Sequence, residues 1–239
     1  MNYHRIKKKV SLVEKLNSLS ITVWIIIITA IISIVTFYLW NSNPGLVNCT
    51  ALYAPNILSG QCLWSLVSHI FIHGNFAHLA INMFVLFSLG SLLERIIGRK
   101  RYIWFYLISG IFAGILSVLL SGAFGRSGSG GVIFGSPLIP MVGASGAIFA
   151  IAGLLMTLIP KLRFTIIFFP FFSLPAYIMI PAVLFITWIG TVISAFAFGK
   201  AVLLGNVAHF GGFLAGLCYG FYLRIKYKKK INMLQRYFR

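Results

Sequence analysis

The chain has 239 residues, 59% of them hydrophobic and 9% charged, with a formal net charge of +18. A soluble domain carries roughly a quarter charged residues, so this composition excludes a domain that covers its surface with charge. Nucleic-acid binding, which the net charge alone suggests, is not expected, because the basic residues fall in short clusters between apolar runs.

Several of those runs approach the roughly 20 apolar residues that cross a bilayer, and lipid is the expected surround. Residues 1–17 form a basic tail with Arg5, Lys7, Lys8, Lys9 and Lys15. The first span is expected over 18–40, with Trp24, Tyr38 and Trp40 near its ends as interfacial anchors. Its apolar run is too long for a signal peptide and shows no small-residue cleavage pattern, so no cleavable leader is expected. Residues 41–76 contain no Lys or Arg and are broken into turns by Asn43-Pro44-Gly45 and Pro55-Asn56. The piece 63–71 is apolar but too short to span, which suits a re-entrant or interfacial segment. Cys49 and Cys62 lie in this connection and can pair in an oxidising compartment; their spacing alone leaves that open. Cys218 reads as packing.

The second span is expected over 76–97 and carries His78, Asn82 and Glu94. The third covers 102–120, followed by a Gly/Ser/Pro-rich loop over 121–142. The fourth covers 143–159. Residues 164–175, aromatic and interrupted by Pro170, suit a short hairpin or interfacial excursion. The fifth span covers 177–198 and the sixth 206–223, before a basic tail over 224–239. The expected fold is an all-α membrane protein, a six-helix core over 18–223 between two basic tails. Of the 20 Lys and Arg residues, 18 fall in the two tails, the second-to-third hinge and the fourth-to-fifth hinge; Arg126 and Lys200 are the exceptions. The positive-inside rule then places both termini in the cytoplasm. A cell membrane is the expected location, because no organelle-targeting segment precedes the first span.

With that topology the second, fourth and sixth spans run in parallel. His78 and Asn82, Ser145, and His209 then lie at a similar depth, just below the outer surface. Polar groups inside a membrane are costly and face a bundle interior or a water-filled cavity, so this coincidence points to one site. His78 and Asn82 share a helix face. Ala208, Gly212, Gly216 and Gly220 form a small-residue stripe on the sixth span, and Gly146, Ala150 and Gly153 another on the fourth. Stripes of this kind allow close helix contact, which puts Ser145 within reach of His209.

Gly143-Ala144-Ser145-Gly146, with Ala150 four residues on, resembles the GxSGxxxA motif of rhomboid intramembrane serine proteases. Residues 206–216, with Ala208-His209, Gly212 and Gly216, resemble that family's AHxxGxxxG helix. Ser68-His69, His73, His78 and Asn82 resemble its SHxxxHxxxxHxxxN stretch. The resemblance covers roughly 60–220 and implies a six-helix rhomboid bundle. It also implies a serine-type endopeptidase acting on single-pass transmembrane proteins.

A serine hydroxyl needs a base, and His209 supplies one for Ser145. A third, carboxylate member of a triad is lacking. Aspartate is absent, Glu14 lies in the tail, and Glu94 is twelve residues beyond Asn82, about 18 Å by helical rise. A Ser-His dyad follows, as the resemblance also implies. The oxyanion donors expected are the Ser145 backbone N–H and, from the resemblance, His78 and Asn82. Gly143 and Gly146 leave the hydroxyl unobstructed, and Phe149 is placed either to lie against the His209 ring or to face lipid or core. His69, His73 and His78 also admit a metal reading, but no acidic or cysteine partner is near, so neither metal nor cofactor is expected. Glu94 is expected to cap or salt-link the cytoplasmic end of the second helix, for instance to Arg99. The family often carries Trp-Arg before the first of these histidines; here the pair is Trp64-Ser65. The alternative is a catalytically silent rhomboid-like scaffold that binds transmembrane helices. A transporter or channel would need charged residues or repeats through the midplane, and neither is seen.

Overall fold

A computed structural model describes residues 19–166, 169–198 and 205–238. The expected N-terminal tail, with Glu14, and Lys200 lie outside these residues. Helix α1 spans Ile21–Ser42. The connection after it holds short helices at Val47–Thr50, Ala54–Leu58 and Ser65–Ser68, then a 3-10 turn at His69–Phe71. Helix α2 starts with Phe76–Val85, passes through a π-helical stretch Leu86–Gly90 and finishes with Ser91–Ile97. Helix α3 spans Arg99–Phe124, longer at both ends than the apolar run alone suggests. A short helix, Gly128–Phe134, interrupts the Gly/Ser-rich loop.

Helix α4 spans Ser145–Leu158. Strands β1 (Arg163–Ile166) and β2 (Phe169–Pro175) then form an antiparallel hairpin, so the all-α expectation misses one small sheet. Helix α5 spans Ala176–Phe198 and α6 spans Asn206–Lys226. Residues 228–237, expected as tail, form helix α7 (Lys228–Tyr237).

The protein is mostly helical. Helices α1, α2, α3 and α5 are long and apolar enough to cross a membrane. Of the two remaining long elements, α4 is the inner one. Helix α4 has 14 residues, and all but Ser145, Phe149 and Met156 are buried. Helix α6 carries Asn206, His209 and four glycines.

Contact between α4 and α6 is backbone on backbone. A Cβ added at Gly212 would collide with the Gly146 carbonyl, and one at Gly216 with the Ala150 carbonyl. The matched pairs advance together along both helices, ending with Gly220 against Thr157, so α4 and α6 run parallel. Helix α3 crosses the same seam: a Cβ on Gly146 would lie 2.8 Å from the Ala113 methyl.

Helix α1 is fixed at its first turn. The buried Glu94 carboxylate of α2 accepts from Ile21 N (2.8 Å), Thr22 N (2.9 Å) and Thr22 Oγ1 (2.8 Å). Arg99 pairs with it at 3.5 Å and also donates to the Leu19 carbonyl. The expected link to Arg99 is therefore present, but the helix that Glu94 caps is α1. Sequence spacing could not show this, because the N–H groups that need an acceptor lie more than 70 residues away. The start of α1, the end of α2 and the start of α3 thus share one end of the bundle. Gln235 of α7 donates to the Leu158 carbonyl, adding the end of α4 to that end.

Two stability outcomes follow. Hydrogen bonds to a charged group contribute about 1.5–3 kcal/mol each, so Glu94→Ala is expected to destabilise by about 3 kcal/mol or more. Glu94→Gln, which keeps one acceptor oxygen, is expected to cost less. Thermal unfolding in detergent reads both, and an unchanged Tm for Glu94→Ala contradicts the capping role. Gly216→Val drives a branched side chain into the α4 backbone and is expected to cost about 3 kcal/mol, against little change for Gly190→Val on α5, where an added Cβ meets nothing.

Candidate active site

Ser145 opens α4, and the residue before it, Ala144, offers no side-chain cap. The N–H groups of the first helical turn have no intrahelical acceptors, and a helix N-terminus favours negative charge. Gly143, just upstream, has φ +127°, a conformation side chains avoid, and an added Cβ would sit 2.9 Å from His78 Cε1. Glycine here lets the His78 ring close over the start of α4.

His209 lies in the first turn of α6, with Nε2 2.9 Å from Ser145 Oγ. The α4–α6 seam sets that distance: parallel helices in backbone contact at Gly146 and Gly212 bring the residues above the contact together. Phe149 stacks on the imidazole, with ring centroids 4.4 Å apart and planes at 30°. The other ring nitrogen, His209 Nδ1, is buried and has no hydrogen-bond partner. Glu94, the acid among the described residues, is at the opposite end of α2, holding α1. The arrangement is a hydroxyl facing one imidazole nitrogen with no carboxylate behind it. A hydroxyl at this range from a neutral imidazole can pass its proton to it.

His78 and Asn82 face the same space from α2. Asn82 is buried, and its Nδ2 donates to the His78 carbonyl at 2.9 Å. An amide nitrogen carries two hydrogens, so one is left for another acceptor. Ser145, His209, His78, Asn82, Gly143, Gly146 and Phe149 all line one cleft of about 1420 Å³. The cleft extends from the serine down between α2 (Ile81, Phe84, Val85) and α5 (Met179, Val183, Ile186), reaching Arg163 of β1.

A supporting layer was harder to read from spacing. His73 Nδ1 meets Ser33 Oγ of α1 at 3.1 Å, while its Nε2 accepts from Ala144 N at 3.4 Å. Gly143 N donates to the His69 carbonyl, and the His69 ring meets the Ser65 carbonyl. Leu52 exchanges backbone hydrogen bonds with Met141 on both sides, each 2.9 Å. Both histidines thus act as braces around residues 141–144. No group of three His, Cys, Asp or Glu among the described residues is placed to hold a metal.

Ser65 carries no guanidinium to tie down the first connection. That connection is held instead by a Cys49–Cys62 disulfide, by Trp64 Nε1 donating to the Cys49 carbonyl (2.7 Å) and by Ser68 Oγ donating to the Thr50 carbonyl (2.9 Å). The pairing that spacing left open is therefore made. Cys218, read as packing, is exposed on α6.

Comparison with known proteins now adds to this geometry. The rhomboid domain model matches residues 60–226. The mouse mitochondrial presenilin-associated rhomboid-like protein is 30% identical over 184 residues, covering 77% of this chain and 44% of that protein. RHOMBOID-like protein 5 of Arabidopsis thaliana is 31% identical over 185 residues, covering 77% of this chain and 52% of that protein. Rhomboid protease GluP of Bacillus subtilis is 33% identical over 109 residues, covering 44% of this chain and 21% of that protein. The chain spans about half the length, or less, of these curated relatives. A family match over most of the chain, together with helices that suit a bilayer, makes this an integral membrane protein of the rhomboid family.

Proposed function

We propose that the chain is an intramembrane serine endopeptidase that cleaves single-pass transmembrane proteins near the outer membrane face. The observation that carries the proposal is the 2.9 Å contact between Ser145 Oγ and His209 Nε2 inside a cleft open between α2 and α5. His209 takes the Ser145 proton as the hydroxyl attacks the scissile carbonyl, then returns a proton to the leaving amine. The tetrahedral oxyanion is met by the Ser145 backbone N–H and by the side chains of Asn82 and His78. Donors aimed at developing charge in a site shielded from bulk water are worth far more than in water. Gly143 leaves room for the His78 ring and Gly146 for the close helix seam that sets the dyad, and Phe149 holds the imidazole plane.

The proposal includes six spans with both termini cytoplasmic, in a cell membrane. The core over 18–223 is then flanked by the basic segments 1–17 and 224–239. Two observations support this orientation. Among the described residues, Arg95, Arg99, Arg101 and Lys226 gather at the end where α2 finishes and α3 starts, and the Cys49–Cys62 disulfide at the other end suits an oxidising compartment. Helix α4, at 14 residues, is about 21 Å long, short of the roughly 30 Å hydrocarbon thickness. A serine at its first residue is therefore submerged rather than at the surface.

The substrate class follows from this depth. A peptide bond inside an intact helix has its carbonyl engaged and its backbone shielded, so the substrate must unwind locally. Helix-breaking residues and a small residue before the scissile bond satisfy that need. Lateral entry uses the gap between α2 and α5. Helix α5 and the Gly205 turn are the parts proposed to move, with α5 held to α6 by Asn206 Nδ2 donating to Thr191 Oγ1 at 2.8 Å.

Cleavage of a model transmembrane substrate by purified protein in detergent tests this. Ser145→Ala and His209→Ala are each expected to lower kcat by about 10⁴-fold or more. Cleavage surviving either change contradicts the dyad, and a folded protein that cleaves no transmembrane substrate points to a silent scaffold. Asn82→Ala removes an oxyanion donor and is expected to lower kcat by about 10²-fold with KM little changed. A rise in KM at constant kcat would instead make Asn82 a substrate-binding residue.

A further inference from the structure

Helix α7 belongs to neither the cleft nor its supports, and its two faces differ. Ile231 is 7% exposed. Leu234 and Phe238 pack on the same core cluster, and Gln235 bonds the end of α4. These four positions form one helical face, which docks α7 against the bundle. The opposite face carries Lys229, Met233, Arg236 and Tyr237, with Lys228 and Lys230 on its flanks. All six are exposed, Met233 at 63% and Tyr237 at 86%. Ile225, in the last turn of α6, is 82% exposed.

Among the described residues, no carboxylate pairs with the cations of α7 or of the last turn of α6. The whole chain has two acidic residues against 20 basic ones. Glu94 is buried and committed to α1 and Arg99, and Glu14 lies outside the described residues. The nearby partners are neutral: Arg101 donates to the Tyr227 hydroxyl (3.0 Å), and Lys226 to the Tyr222 hydroxyl (2.7 Å).

We propose that the outer face of α7, with the adjoining end of α6, is a docking surface for the headgroups of anionic phospholipids. Charge complementarity requires an external anion. The apolar residues set among the cations select a bilayer over a soluble acidic partner. Met233 and Ile225 reach toward the acyl boundary, Tyr237 suits the headgroup level, and the flanking lysines extend their stems to place ammonium groups at phosphates. A helix bound on one face to protein and on the other to lipid fixes the end of α4 opposite Ser145.

The test uses the full chain in mild detergent and needs no cleavage. Native mass spectrometry counts retained phosphatidylglycerol and phosphatidylcholine adducts from an equimolar mixture. The unsubstituted protein is expected to retain several-fold more phosphatidylglycerol. The K228Q/K229Q/K230Q variant is expected to bring the two lipids near parity, with an unchanged melting curve, while R126Q at the other end keeps the preference. M233S/Y237S is expected to lower retention of both lipids. Equal retention by the unsubstituted chain, or a preference that survives the triple substitution, overturns the proposal. Displacement of phosphatidylglycerol by an equal concentration of inorganic phosphate also overturns it, because the surface would then be a free-phosphate site.

Discussion

The structure depends on how closely α4 and α6 approach. At Gly212 and Gly216 no side chain separates the backbones, and even a methyl group would collide with a carbonyl. In lipid, helices gain nothing from burying apolar surface that the acyl chains would cover equally well. Association must come from dispersion and shape, which reward the shortest interaxial distance. Ser145 and His209 lie at the head of this seam, so their 2.9 Å separation is a consequence of packing. A histidine on a flexible loop would lack that constraint.

The second requirement is to present Ser145 from above. A helix that begins within the bundle leaves its preceding segment at membrane depth, where unpaired backbone groups are costly. The structure satisfies them locally. Met141 pairs with Leu52, Gly143 donates to the His69 carbonyl, and Ala144 donates to His73. Each partner lies in or near the first connection, which the disulfide closes on itself. The long polar connection between α1 and α2 is therefore a brace for the serine as well as a link between helices.

Much of this was legible in the sequence, for identifiable reasons. Hydropathy located the long helices because lipid exposure demands apolar length. That Ser145, His209, His78 and Asn82 share one cleft was expected from the charge distribution, and the small-residue stripes foretold which faces meet. What could not be read were contacts that depend on geometry between distant residues. Glu94 was expected to serve its own helix but caps α1. Ser65 gave no hint that the disulfide and Trp64 hold the connection. Residues 228–237 looked like a charged tail, because three consecutive lysines mask the spacing of Ile231, Leu234 and Phe238. The hairpin at 163–175 was one of two readings of that segment, since Pro170 argues against a helix without choosing between a hairpin and an interfacial excursion.

The central claim is that His209 activates Ser145 without a carboxylate. Labelling of the folded full-length protein by a fluorophosphonate, mapped by peptide mass spectrometry, tests that claim most directly. The expected result is one adduct, on Ser145, that disappears in His209→Ala. An unlabelled Ser145, or labelling that persists undiminished without His209, would contradict it.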